Sequence, residues 1–232
     1  MYLNSIMGRM ADGPTKDLDS STLTIPDSLT KAVLQIDIGK HPMFATFDDS
    51  GKSSAKRAIN SLQAAVREGH LDIGKVKRIL DFGAGFGGST FALACVAEVI
   101  EADVEAVEIS AEKALQIVSS DILSADKVYI GDGRDFLSKI RPGNEYDLIT
   151  GFMFGPDGTN ASLFQEVALA SNKALSPHGY LLINSDMRTA AEIERVAEVN
   201  KMRYDRIQMQ GVGRELPTTL IFPQAEVAKL AY

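Results

Sequence analysis

The chain has 232 residues, enough for one α/β domain with a sizeable core and an N-terminal extension. Hydrophobic residues make up 45% and charged residues 24%, with no apolar run long enough to span a membrane and no secretory pattern in residues 1–10. A single cysteine, Cys95, excludes an internal disulfide, three scattered histidines argue against a bound metal, and a formal charge of −7 disfavours nucleic acid as a partner. The expected setting is the cytoplasm.

Residues 1–30 are rich in Ser, Thr, Asp and Gly and show no sustained periodicity. Residues 1–45 are therefore read as an N-terminal arm that can serve as a lid, and residues 46–232 as the ligand-binding domain. A short apolar stretch runs from Ala32 to Ile38, followed by His41-Pro42-Met43-Phe44 and Phe47. Lys52 to Glu68 has helical spacing, with Ala55, Ile59, Leu62, Ala65 and Val66 on one face.

From Val76 the pattern changes. Val76 to Phe82 reads as a buried strand entering a glycine loop, and Ser89 to Val99 as an apolar helix. Strands are expected at 104–109, 127–130, 146–150 and 180–184, with helices at 111–120, 135–140, 161–175 and 189–200 between and after them. Two further strands, 203–209 and 218–222, follow without an intervening helix and so pair or lie close together. Strict alternation through five strands predicts a Rossmann-like doubly wound α/β sheet of seven strands, mostly parallel, with an antiparallel C-terminal pair. Ligands of such sheets bind at the carboxyl ends of the strands.

The strongest local signal is Asp81-Phe82-Gly83-Ala84-Gly85-Phe86-Gly87-Gly88, a glycine loop between a strand and a helix. Its glycines permit a tight turn and a close backbone approach to a ligand, and Gly83, Gly85 and Gly88 also match dinucleotide spacing. Asp81 opposes the pyrophosphate that a dinucleotide would bring and suits a cationic ligand. Glu108 stands about twenty residues further on, at the end of the second strand, where an acid can accept both hydroxyls of a ribose. Asp132, in Gly131-Asp132-Gly133-Arg134, can accept a hydrogen bond from an adenine amino group. Asp147 enters the fourth strand, and Leu175-Ser176-Pro177-His178-Gly179 reads as a helix stop and turn.

In order and spacing, these segments resemble the class I S-adenosylmethionine-dependent methyltransferases over roughly residues 53–222. The resemblance implies S-adenosylmethionine as cofactor. Asp81, Gly83, Gly85 and Gly87 would hold its methionine end, with Phe82 and Ala84 in the same loop. Glu108 would hold the ribose and Ile109 would pack on the adenine, flanked by Asp132, Gly133 and Arg134. Gly151 and Phe152 would line the methyl end. Residues 128–184 are also similar to spermidine-synthase-like aminopropyltransferases, through the Gly-Asp-Gly, Phe136-Leu137, Tyr146-Asp147, Pro156 and Leu163-Phe164. That pattern expects an aspartate shortly after Tyr-Asp, where this chain has Gly151-Phe152-Met153-Phe154.

The leading expectation is direct in-line methyl transfer to a small-molecule or protein acceptor. An aminopropyltransferase, a non-catalytic S-adenosylmethionine-binding protein and a NAD-dependent oxidoreductase, which Asp81 disfavours, are the alternatives. A base is required only if the acceptor must lose a proton, and the candidates are Asp157, after the fourth strand, and His41, in the lid. Cys95 is read as a core residue and His178 as exposed.

Overall fold

The computed structural model describes residues 28–152, 161–208 and 218–231. Short helices α1 (Ser28–Leu34) and α2 (Pro42–Thr46) lead into a long helix, α3 (Asp49–Arg67). Asp48 starts α3 by accepting the Gly51 amide at 2.7 Å, which satisfies a first-turn N–H that has no partner within the helix. The five residues expected on its apolar face, Ala55, Ile59, Leu62, Ala65 and Val66, are all buried.

Strands and helices then alternate: β1 (Arg78–Phe82), α4 (Gly88–Ile100), β2 (Asp103–Glu108), α5 (Ala111–Ser119), β3 (Val128–Ile130), α6 (Gly133–Ser138), β4 (Tyr146–Phe152), α7 (Ala161–Ala174), β5 (Leu175–Ser185) and α8 (Met187–Val199). β6 (Asp205–Gln208), β7 (Thr218–Pro223) and a short α9 (Gln224–Val227) complete the described fold. The strand order is β3-β2-β1-β4-β5-β7-β6. The first five strands are mutually parallel, and β7 runs antiparallel to both of its neighbours, β5 and β6. The two last strands pair as expected, but β7 enters the sheet between β5 and β6 rather than at its edge. Met209, the last residue of the strand expected at 203–209, lies outside the described residues, as do residues 210–217.

Successive strand residues point to opposite faces, and the core divides accordingly. Ile79, Leu148, Leu182 and Ile221 face α3 and α4, whereas Leu80, Ile149, Leu181 and Leu220 face α7 and α8. Both faces are covered, which is why the central strands read as continuous apolar runs. The Leu175–Gly179 segment, expected as a turn, lies within β5 as an irregularity: Tyr146 pairs with Leu175 and Leu148 already pairs with Tyr180.

Asp147 ties the amino ends of three strands together. Its Oδ2 accepts the amides of Lys77 and Arg78 at 2.8 and 3.1 Å, and its Oδ1 accepts the Ser176 hydroxyl at 2.8 Å. Among the described residues no helix is long and apolar enough to cross a membrane, and no group of three or more His, Cys, Asp or Glu is placed to hold a metal.

Candidate functional site

β1 ends where the glycine loop begins, at the carboxyl edge of the sheet. Gly83, Gly85 and Gly87 have φ of +72°, +56° and +87°, the left-handed region that side chains disfavour. The loop is stitched to β2: the amides of Gly83 and Ala84 donate to the Val107 carbonyl at 2.9 and 3.2 Å. The Gly87 amide returns to the Ala84 carbonyl at 3.0 Å. Gly88 opens α4 so close to α3 that a Cβ would lie 2.3 Å from the Gly51 carbonyl oxygen.

Asp81 lies fully buried beneath this loop. Ser89 and Thr90, from the first turn of α4, each donate to its Oδ2 at 2.7 Å, and Thr150 of β4 donates to Oδ1 at 3.4 Å. Burial pushes its carboxyl up to about 6, against the opposing pull of these hydroxyls. Asp81 therefore anchors the start of α4 to β1 and β4.

Glu108 closes β2 and is 5% exposed. Its Oε2 accepts the Gly85 amide at 2.7 Å and its Oε1 the Ser110 amide at 2.9 Å. The next side chain, Ile109, is 73% exposed, an unusual exposure for an isoleucine at the rim of a cavity.

After β3, Asp132 caps α6 by accepting the Arg134 amide at 2.8 Å, which starts that helix two residues earlier than expected. The Arg134 guanidinium folds back onto the same carboxylate, with Nε at 3.0 Å from Oδ1, and also pairs with Glu166 of α7. The guanidinium beside Asp132 holds its carboxyl down at about 2. Gly133 has no room for a side chain, since a Cβ would meet the Phe82 ring at 2.3 Å.

These elements enclose a cavity of about 210 Å³. Of the expected site residues, Phe82, Gly83, Glu108, Ile109, Asp132, Gly133 and Arg134 line it. Val107, Gly131 and Leu163 also line it and were not expected to. Val107 and Gly131 are direct neighbours of expected residues. Leu163 comes from α7, far away in sequence, and carries no local signal for this wall.

The other expected residues do not line this cavity. Asp81 is sealed below the loop, and Ala84, Gly85 and Gly87 form the loop behind Gly83. Gly151 and Phe152 are buried at the end of β4, and the Phe152 side chain packs into the core facing α3. Asp157, Met153, Phe154 and Pro156 lie outside the described residues.

His41 also belongs elsewhere. Its Nδ1 accepts the Met43 amide at 3.2 Å, capping α2, and its ring stands 5.0 Å from that of Phe91. It lines a separate cavity of about 200 Å³ with Cys95, Glu98 and Asp121. Pro42 at the first helical position favours this capping role. Phe44, expected in the lid, and Phe47 just after it are packed into the core. Cys95 is half-buried rather than a core residue, and burial pushes its thiol up to about 11. His178 is exposed, as expected.

No protein-family model and no curated protein sequence matches the chain. Solved structures do. The chain is similar to a probable spermidine synthase from Corynebacterium glutamicum, with 20% identity and a TM-score of 0.53 over 73% of this chain and 63% of that one. It is similar to the mitomycin 7-O-methyltransferase MmcR, with 18% identity and a TM-score of 0.52 over 74% of this chain and 54% of that one. It is also similar to the N-methyltransferase NodS from Bradyrhizobium japonicum, with 14% identity and a TM-score of 0.50 over 76% and 97%. The chain spans less than two thirds of the length of the first two. The structural neighbours are mostly class I S-adenosylmethionine-dependent methyltransferases, and the fold is the Rossmann-like α/β fold of that class.

Proposed function

We propose that the chain binds S-adenosylmethionine at the carboxyl edge of the sheet and transfers its methyl group to a small-molecule or protein acceptor. The observation that carries this reading is the single cavity bounded by the glycine loop, Glu108 and Asp132.

The wall suits the nucleoside end of that cofactor. The cavity is smaller than the roughly 300–1,000 Å³ of a complete ligand pocket, a size matched to one end of a larger molecule. Ile109 offers an exposed apolar surface to a flat base, and Glu108 and Asp132 offer acceptors to sugar hydroxyls and an exocyclic amine. At Gly83 and Gly85 a Cβ would enter open space, so the glycines leave the loop clear for a ligand. A dinucleotide fits less well. The amides of Gly83, Ala84, Gly85 and Gly87 are already donated within the protein, and two carboxylates flank the loop where a pyrophosphate would lie.

When bound, S-adenosylmethionine supplies a methyl group already activated by its sulfonium. The residues of the chain then have to hold, orient and shield it, and positioning of this kind is worth about 7–11 kcal/mol in well-oriented systems. Asp81 fixes the start of α4, and Glu108 fixes the loop. Both carboxylates on the cavity wall already accept hydrogen bonds, and neither is placed as a base toward an acceptor. A cytoplasmic setting and an acceptor that is not nucleic acid are part of this reading, supported by the acidic charge and single cysteine.

A thermal-shift panel with S-adenosylmethionine, S-adenosylhomocysteine, decarboxylated S-adenosylmethionine and NAD tests the reading. Ligand at a hundred times its Kd stabilises by about 2.7 kcal/mol. Stabilisation by the first two is expected. Preference for the decarboxylated form would replace methyl transfer with aminopropyl transfer. A response to NAD alone, or to none, would overturn the reading, and binding without turnover on any acceptor would leave a cofactor-binding protein.

A further inference from the structure

We infer that the cavity between α2, α4 and the end of α5 is a second ligand site, built for a small organic cation: a primary ammonium on a short aliphatic stem. It shares no residue with the cavity at the carboxyl edge of the sheet, and it stands whether or not the cofactor reading does.

The cavity, of about 200 Å³, has an apolar floor and a negative mouth. Phe91 and Ile122, both buried, form the floor, with Met43 of α2 and Ala94 of α4 beside them. Glu98 and Asp121 are exposed at the mouth, and neither carboxylate has an ion-pair partner among the described residues. Burial, and then the charge of Glu98, push the Cys95 thiol up to about 11, so the thiol is neutral and the field of Glu98 reaches into the cavity.

The two carboxylates stand where helices disfavour them. A helix carries partial negative charge at its C-terminus, which favours cations there and opposes anions. Glu98 lies in the last turn of α4, and Asp121 follows the end of α5 by two residues. Neither helix has a basic residue in its last turn, and no lysine or arginine lines the cavity. His41 does not supply the missing charge. Its Nδ1 accepts the Met43 amide, a bond that an imidazolium could not accept. Two carboxylates and the negative ends of two helices thus meet at one opening, with no positive charge from the chain to answer them.

An anionic ligand would be repelled from this opening, and a neutral one would leave both charges unmet. A primary ammonium meets the carboxylates with its N–H donors while its stem lies on Phe91 and Ile122. The cavity is smaller than the roughly 300–1,000 Å³ that drug-sized ligands occupy, which keeps the stem short.

Titration of the full chain with n-butylammonium, and with n-butanol as its neutral counterpart, followed by ligand-observed NMR, gives the test. The ammonium should bind saturably and roughly fivefold to twentyfold more tightly than the alcohol, and added salt should erode that margin. Glu98→Gln and Asp121→Asn should each weaken the ammonium by about two- to fivefold. Both changes remove a charge that the helix ends oppose, so both proteins should be at least as thermally stable as the wild type, and weaker binding will not reflect lost folding. Cys95 is the single cysteine of the chain, so one N-ethylmaleimide adduct there fills this cavity and no other, and should abolish binding. Equal binding of the alcohol, full binding by the doubly substituted protein, or full binding after alkylation would overturn the inference and leave an acidic chain that attracts amines over its whole surface. A lysine side chain carries the same group, and Nα-acetyl-lysine amide titrated alongside separates the two sources. Weaker binding than the bare amine points to a free amine and tighter binding to the lysine of a partner, and either upholds the cation site.

Discussion

The Gly85 amide donates to Glu108 Oε2 at 2.7 Å, so the residue proposed to hold the cofactor ribose already holds the glycine loop. The loop and the sugar site are thereby one structure. Glu108→Gln keeps an oxygen for Gly85 but loses charge, and Glu108→Ala loses both. Glu108→Ala should weaken S-adenosylhomocysteine by roughly tenfold to a hundredfold and should also destabilise the protein, with Glu108→Gln intermediate in both. Calorimetry and urea denaturation measure the two effects, and full affinity in a folded Glu108→Ala protein would remove the residue from the site.

Asp81 makes stability depend on pH. Its folded value, about 6, is above the ordinary 3.8, so the folded state binds this proton more tightly than the unfolded chain does. The contribution is fully present below pH 3.8 and is lost as the pH rises through about 6. Between pH 4 and pH 7 the wild type should lose on the order of 1–3 kcal/mol relative to Asp81→Asn. Paired denaturation curves at the two pH values give the difference, and parallel behaviour of the two proteins would show that the buried carboxyl titrates normally.

Gly133→Ala places a methyl group 2.3 Å from the Phe82 ring. Overpacking of this sort costs about 1–3 kcal/mol. The smaller side chain in a Gly133→Ala, Phe82→Leu double variant should recover part of that loss. Urea midpoints of the three proteins measure the coupling, and simple addition of the two single effects would rule the clash out.

Ile109 separates binding from folding. Most of its side chain is in solvent, so Ile109→Ser should change stability by less than about 0.5 kcal/mol. If the residue packs on a purine, the same change should weaken S-adenosylhomocysteine several-fold, with burial of one such side chain worth about 1.5–3 kcal/mol at most. Unchanged affinity would place the base elsewhere.

Much of this architecture is legible in local patterns. Apolar runs separated by amphipathic helices announce a covered parallel sheet, and Asp81 to Gly88 announces a strand-to-helix turn. Glu108, Ile109, Asp132 and Arg134 follow from their places at or just after the ends of strands, because strand ends converge on one edge of such a sheet. What pattern does not carry is partnership over distance. Asp147 looks like a motif residue but brackets strand starts at the opposite edge from the cavity. His41 looks like a lid residue but caps a helix against Phe91. Leu163 and Glu166 reach the site because α7 packs on α6, a fact of tertiary packing with no counterpart in the spacing.

The position of β7 also dictates an order of events during synthesis. β6 emerges from the ribosome first, yet among the described residues its ladder is to β7 alone, and β7 in turn docks on β5. Until residues 218–223 are made, β6 has no edge to join and Leu181 and Ile183 of β5 wait without their neighbours Phe222 and Leu220. The nascent chain therefore carries an open, apolar sheet margin until β7 appears, the kind of exposed edge to which chaperones are drawn.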